Sequence, residues 1–200
     1  MQHPATRALF EYWNKLRANR PAPERAEIDP AAIRSVLGDT FILAADFADA
    51  LRFRLAGTRI CTLFCREIKG EAFAALWSER SRAAVEDMIA AVLHESEAAV
   101  GELTGRTADA AEIALELLVL PLAPLGDARI RALGALVPLA PPYWLGEKPV
   151  AEIELTALAP AGEALGRRPV PLFPLSGGKR TRRGLVIYRG GRQTPMEPPG

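Results

Sequence analysis

The chain has 200 residues, 49% of them hydrophobic, enough to bury one substantial core and too few for several large domains. Its formal net charge of +1 supplies no global field that would select nucleic acid or another polyanion. Two cysteines and two histidines exclude a disulfide framework and leave few ligands for a transition metal.

In chain order, Pro4 at a first helical position and Leu9, Trp13 and Leu16 at i, i+4, i+7 predict an amphipathic helix over residues 3–17. Arg20-Pro21-Ala22-Pro23 ends it as a stiff connector. Asp29-Pro30 signals a second, short helix with Ile33, Val36 and Leu37 inward and Gly38 as its stop. Residues 40–46 (TFILAAD) read as a strand, 48–50 as a turn, and 51–58 as a second strand. There Leu51, Phe53 and Leu55 alternate with Arg52 and Arg54, which directs Phe53 and Leu55 toward the helices and both arginines away.

Beyond Gly57 the apolar residues come in short groups interrupted by Gly70, so residues 60–77 are expected to form several short helical turns around an apolar volume. A longer helix from Ser78 to Glu95 follows, with Val85, Met88, Ile89 and Val92 on its inner face. Three strands are expected at 98–107, 112–121 and 130–138. Leu117 to Leu120 are apolar on both faces, so the sheet is covered on both sides there, and the first helix is the element free to cover the second face. A further short strand is expected at 151–158. A strand-like run also occupies 184–189 (GLVIYR), inside a tail where eight basic residues oppose two acidic ones between 161 and 200.

The resulting fold class is α+β, a five-stranded antiparallel sheet with helices on one face and an N-terminal amphipathic helix. This order of elements resembles a PAS domain. More narrowly, the chain resembles the PAS-like single-domain family of alphaproteobacteria, the PAS_5 group. The resemblance rests on Tyr12-Trp13, Leu16-Arg17, Pro23, Arg25, Ile28-Asp29-Pro30, Phe41-Ile42-Leu43, Phe53-Arg54-Leu55-Ala56-Gly57-Thr58, Arg66-Glu67, Gly70, Phe73 and Trp77, with a closing segment at 184–192. It implies a PAS-like domain at 23–145, preceded by a helix and linker at 1–22. A basic, partly disordered or peripheral extension follows at 146–200. Cys65 stands where the family pattern has Gly, which leaves the backbone of that turn open. The resemblance further implies a sensory or regulatory role, passed to a partner because no output segment is recognisable.

No catalytic constellation is present, so no enzymatic activity is expected. Cys61 and Cys65, four apart, pose a redox pair or half a metal site against two small buried hydrophobes, and the second reading is preferred. The Asn and Gln partners of the reactive cysteine in light-sensing PAS domains are missing, so flavin photochemistry is not expected, and the sequence names no other cofactor. His94 reads as a cation at a helix C-terminus rather than a haem ligand. Arg52 and Arg54 are expected to meet Glu112 and Glu116 across the sheet as a charge ladder. Lys179-Arg180-Thr181-Arg182-Arg183 reads as a solvated basic run, not a specific nucleic-acid site.

The expected function is a sensory domain that binds a small apolar or mixed ligand and acts through a signalling partner. Phe53, Leu55, Cys61, Phe64, Phe73, Trp77, Met88 and Leu117 are the candidates for its pocket. The alternative is a ligand-free adaptor that homodimerises through Leu9, Trp13 and Leu16. A cytoplasmic location is expected: Met1-Gln2-His3-Pro4 lacks the character of a signal peptide, and no stretch reaches the roughly 18 apolar residues of a membrane span.

Overall fold

A strand that is apolar on both faces must be covered on both sides, and the computed structural model shows how this chain covers it. The structure describes residues 1–46, 50–123, 129–164 and 170–171. The strands β1 (Thr40–Asp46), β2 (Arg52–Ala56), β3 (Ala99–Thr107), β4 (Glu112–Leu122), β5 (Arg129–Pro138), β6 (Val150–Pro160) and β7 (Val170–Pro171) form one sheet. Their order is β2-β1-β5-β4-β3-β6-β7, and every neighbouring pair is antiparallel. Leu115, Leu117 and Val119 of β4 belong to one buried cluster, and Leu118, Leu120 and Leu122 to the other.

The expected five strands are all present, and the sheet is larger than expected. β6 pairs with β3 from Thr107↔Val150 to Ala99↔Pro160, and β7 adds two residues beyond it. Residues 150–160 therefore continue the sheet beyond residue 145. An uncovered edge on β3 would expose a row of unpaired backbone donors and acceptors, which β6 satisfies. The turn at 47–49, the basic run at 179–183 and the strand-like run at 184–189 lie outside the described residues.

One face carries α2 (Thr58–Phe64), the 3₁₀ turn Phe73–Leu76 and α3 (Glu79–His94). The other carries α1 (Pro4–Arg17) and residues 28–37, as the two-sided apolar strand requires. The short helix expected after Asp29 is a run of i→i+3 turns instead, with Ile33 N–H donating to Pro30, Val36 to Ile33 and Asp39 to Val36. Asp29 does cap this run, its Oδ1 accepting from Ala31 N at 2.9 Å. Ile33 and Val36, three residues apart, share the buried side, a spacing that a 3₁₀ turn and an α-helix both allow, and the i→i+3 bonds decide between them.

α1 is held to the sheet at both ends. Trp13 is 2% exposed and its indole Nε1 donates to the Pro121 carbonyl of β4 at 2.8 Å. At the other end Glu116 of β4, 0% exposed, accepts from the backbone N–H groups of Gln2 (2.6 Å) and His3 (3.1 Å) and from the Thr6 hydroxyl. A buried carboxylate is thereby fully occupied, and its charge lies at the positive end of the helix. The Met1 amine donates to Ala164 O at 2.8 Å, tying the same end to the turn after β6.

Leu9 and Trp13 are thus buried in the chain's own helix–sheet interface, with Leu16 half-buried beside them. The stripe is used for intramolecular packing. Trp13→Ala is expected to destabilise the fold by about 3–5 kcal/mol, measured as a drop in the urea midpoint of the single chain. A midpoint unchanged from wild type would show that α1 does not pack here.

The turn between β3 and β4 makes a separate, pH-dependent contact. Asp109 accepts from Lys148 Nζ at 2.6 Å and from the Thr107 hydroxyl at 2.5 Å, and these two bonds, the lysine first, push its carboxyl down to about 2. A folded-state value below the unfolded one gives a contribution present at and above the usual carboxylate range and lost as pH falls through about 2. NMR titration of the Asp109 carboxyl should show that low midpoint, moving up toward the usual carboxylate range in Lys148→Met while the Thr107 bond keeps it somewhat lowered.

Candidate functional site

The aromatic residues of the expected pocket meet over the helical face of the sheet. Phe41 and Phe53 pack edge-to-face at 5.6 Å, Phe53 and Phe73 lie 5.7 Å apart, and Phe73 meets Trp77 edge-on at 5.4 Å. Phe53, Phe64, Phe73, Trp77, Met88 and Leu117 all belong to this one buried cluster. They pack on one another, and the described clefts that they reach open at its margins.

One such cleft, of about 240 Å³, lies between the 3₁₀ turn Phe73–Leu76 and α3. Phe73, Trp77, Val85, Ile89 and Leu93 form its apolar walls, and Arg82, Glu86 and His94 contribute charge and hydrogen-bonding capacity. Trp77 is 3% exposed, and its Nε1–H has no acceptor, the single buried side-chain nitrogen or oxygen so placed among the described residues. Such a donor costs about 1–3 kcal/mol relative to a satisfied one. Met88 lines a different cleft of about 260 Å³ at the C-terminal end of α3, where His94 stands exposed at the rim.

Leu55 does not join the others. Ile42 pairs with Leu55 but Leu43 pairs with Phe53, so Arg54 is an extra, bulged residue. The bulge inverts the alternation: Phe53 stays on the helical face, while Leu55, 42% exposed, lines a cleft on the α1 face. The charge ladder does not form either. β1 and β5 separate β2 from β4, Glu112 pairs with Arg106 at 2.9 Å, Glu116 caps α1, and Arg52 donates to Gly70 O at 3.0 Å.

Cys61 is half-buried and burial, first of all, pushes its thiol up from the usual value, so it remains a protonated thiol 3.5 Å from Glu67. Cys65 is exposed and unbridged. Among the described residues no three His, Cys, Asp or Glu side chains converge as a metal site, and no helix is long and apolar enough to cross a membrane.

The profile of the PAS domain family, PAS_5, matches residues 1–137. The chain belongs to the PAS domain family. No curated protein matches its sequence. Among solved structures, it is similar to a light-oxygen-voltage domain (16% identity, 55% of this chain and 83% of that chain, TM-score 0.44). It is also similar to a PAS domain from Colwellia psychrerythraea (17% identity, 56% and 98% coverage, TM-score 0.40). An RNA-binding light-oxygen-voltage receptor matches at 14% identity over 62% of this chain and 36% of that one, TM-score 0.41.

One feature of this PAS domain explains a motif residue that periodicity alone does not. A Cβ on Gly57 would lie 2.3 Å from the Leu37 carbonyl oxygen, so only glycine lets the end of β2 approach that turn. Beside it, buried Asp39 accepts from Arg59 Nη1 at 2.5 Å, clamping α2 to the Leu37–Asp39 turn. Of the large apolar residues that wall the cleft beside α3, Leu93 is the one that the sequence reading omits, while Val85 and Ile89 enter that reading only as a helix face. Leu93 was available there as the third member of a Val85, Ile89, Leu93 stripe at i, i+4, i+8.

Cys65 answers the question raised by the missing glycine. It caps α2 at φ 51°, ψ 28°, the left-handed conformation that a glycine takes freely. The turn keeps its backbone and cysteine bears the steric cost. Cys65→Gly is therefore expected to raise stability by about 1 kcal/mol despite glycine's greater unfolded-state entropy, read as a higher urea midpoint at unchanged slope. A lower midpoint would show that the side chain contributes more than its strain costs.

Proposed function

We propose that this PAS domain is a cytoplasmic sensory module. Its ligand is a small, mostly apolar molecule with one hydrogen-bond acceptor, held between the Phe73–Leu76 turn and α3. The family is generally sensory. The observation that carries the finer reading is the unpaired Trp77 Nε1–H behind an apolar cleft. A ligand carbonyl or ether oxygen supplies the missing acceptor, while Val85, Ile89 and Leu93 exclude water from the apolar part. Occupancy then changes the packing of α3 on the sheet, which a partner protein reads; no chemistry on the ligand is involved.

A second reading draws on the same aromatic cluster. Phe41, Phe53, Phe73 and Trp77 fill the space between sheet and helices with their own rings, as a ligand-free interaction adaptor requires. Native mass spectrometry of freshly purified protein separates the two. The sensor reading expects a bound small molecule, with affinity for it reduced up to about tenfold in Trp77→Phe, which keeps a ring and removes the donor. A ligand-free spectrum for wild type under gentle conditions favours the adaptor.

A further inference from the structure

We infer that the cleft on the α1 face of the sheet is a second binding site, and that it takes an amphiphile with an aliphatic tail and a carboxylate head. The cleft, of about 360 Å³, lies between residues 28–37 and the β1–β2 hairpin, and Ile28, Ile33, Ile42, Leu55 and Leu133 line it. Its size falls within the range of small-molecule sites, roughly 300–1,000 Å³. It is separated by the sheet from the Trp77 cleft and does not depend on the function proposed for that cleft.

Three independent observations define the occupant. The lining is mostly apolar, with Thr40, Thr58 and Arg25 as its polar side chains, which favours an aliphatic tail over a polar metabolite. Leu55 reaches this face only through the Arg54 bulge, and bulges commonly re-aim a side chain at a functional position. It is left 42% exposed at the mouth, apolar surface that a tail would cover.

The third observation is electrostatic. Arg25 lines the same cleft and is only half-exposed, yet its guanidinium pairs with no carboxylate among the described residues. Of the nearby carboxylates, adjacent Glu24 forms no ion pair with it among the described residues, and Glu27 is already engaged by Arg20 at 2.8 and 2.9 Å and by Glu24 N–H at 2.7 Å. Asp29 is likewise used, capping Ala31 N. A half-buried arginine without a partner beside an aliphatic cleft matches an anionic head on an aliphatic chain, and guanidinium binds a carboxylate through two parallel hydrogen bonds.

The test is titration of the full chain with decanoate below its micelle concentration, followed by calorimetry and by methyl NMR. The expected result is saturable binding that moves the Ile33 and Leu55 methyl signals. Arg25→Gln should weaken it about tenfold and Leu55→Asn measurably, and decanol should bind about tenfold more weakly than decanoate. Both substituted side chains are at least partly exposed, and matching backbone spectra confirm that the variants fold.

Absence of saturable binding overturns the proposal, as does equal affinity in Arg25→Gln or for decanol. Shifts confined to Ile89 and Leu93 would place the amphiphile in the Trp77 cleft and would equally overturn it. So would a dimer in sedimentation that Leu55→Asn dissociates, because a second copy of the chain would then cover the cleft.

Discussion

The architecture depends on β4 being buried on both faces. Its inward and outward residues are apolar from Leu117 to Leu122, so a single layer of helices would leave half of them in water at about 25 cal/mol per Å² of apolar surface. α1 supplies the second layer, and the one buried polar residue of β4, Glu116, is placed where the helix begins. A carboxylate in the interior would be costly alone; here two backbone donors and a hydroxyl satisfy it. The same strand that demands cover also fixes where the covering helix starts, and Trp13 Nε1 on Pro121 O fixes where it runs.

Covering both faces determines where binding can take place. On the helical side the four aromatic rings fill the volume between sheet and helices, and the clefts are displaced to the junctions of elements. Interiors pack at crystal-like density, so space for a ligand arises where an element is short or irregular. The 3₁₀ turn beside α3 is such a place, and the run of i→i+3 turns from Asp29 to Asp39 is another. Both described clefts of interest therefore lie against a non-α segment.

Much of this was legible from periodicity. α1 and α3 were visible in their i, i+4, i+7 stripes, and β3, β4 and β5 in their alternation and turns, because long patterned elements bury one face regularly. The family motif Phe53–Thr58 was visible too, although the meaning of its glycine, a close approach to the Leu37 carbonyl, was not. Three features had no local signature. The place of β6 beside β3 is a long-range pairing that strand propensity does not encode. The 3₁₀ character of residues 30–39 differs from a helix in its i→i+3 bonds, and the apolar spacing of Ile33, Val36 and Leu37 fits both. The bulge at Arg54 leaves the alternation of Leu51, Phe53 and Leu55 undisturbed on paper, since the inserted residue is itself one of the alternating arginines.

That bulge has the largest consequence for function, because it gives β2 two faces of different character within three residues. Phe53 joins the aromatic chain that runs through Phe73 to Trp77 and so to the cleft beside α3. Leu55 stands in the cleft on the opposite side of the sheet. A regular strand would have sent both inward, closing the α1-side cleft from β2 and crowding a core already filled by four rings. The irregularity is therefore not a local defect: it relieves the helical face of one large side chain and supplies the other face with one. β2 is an edge strand, held on its outer side by the backbone of Gly70, Glu71 and Phe73, and an edge is where an extra residue disrupts the fewest ladder bonds. The chain accommodates the bulge where it costs least and gains access to both faces of the sheet from one short strand.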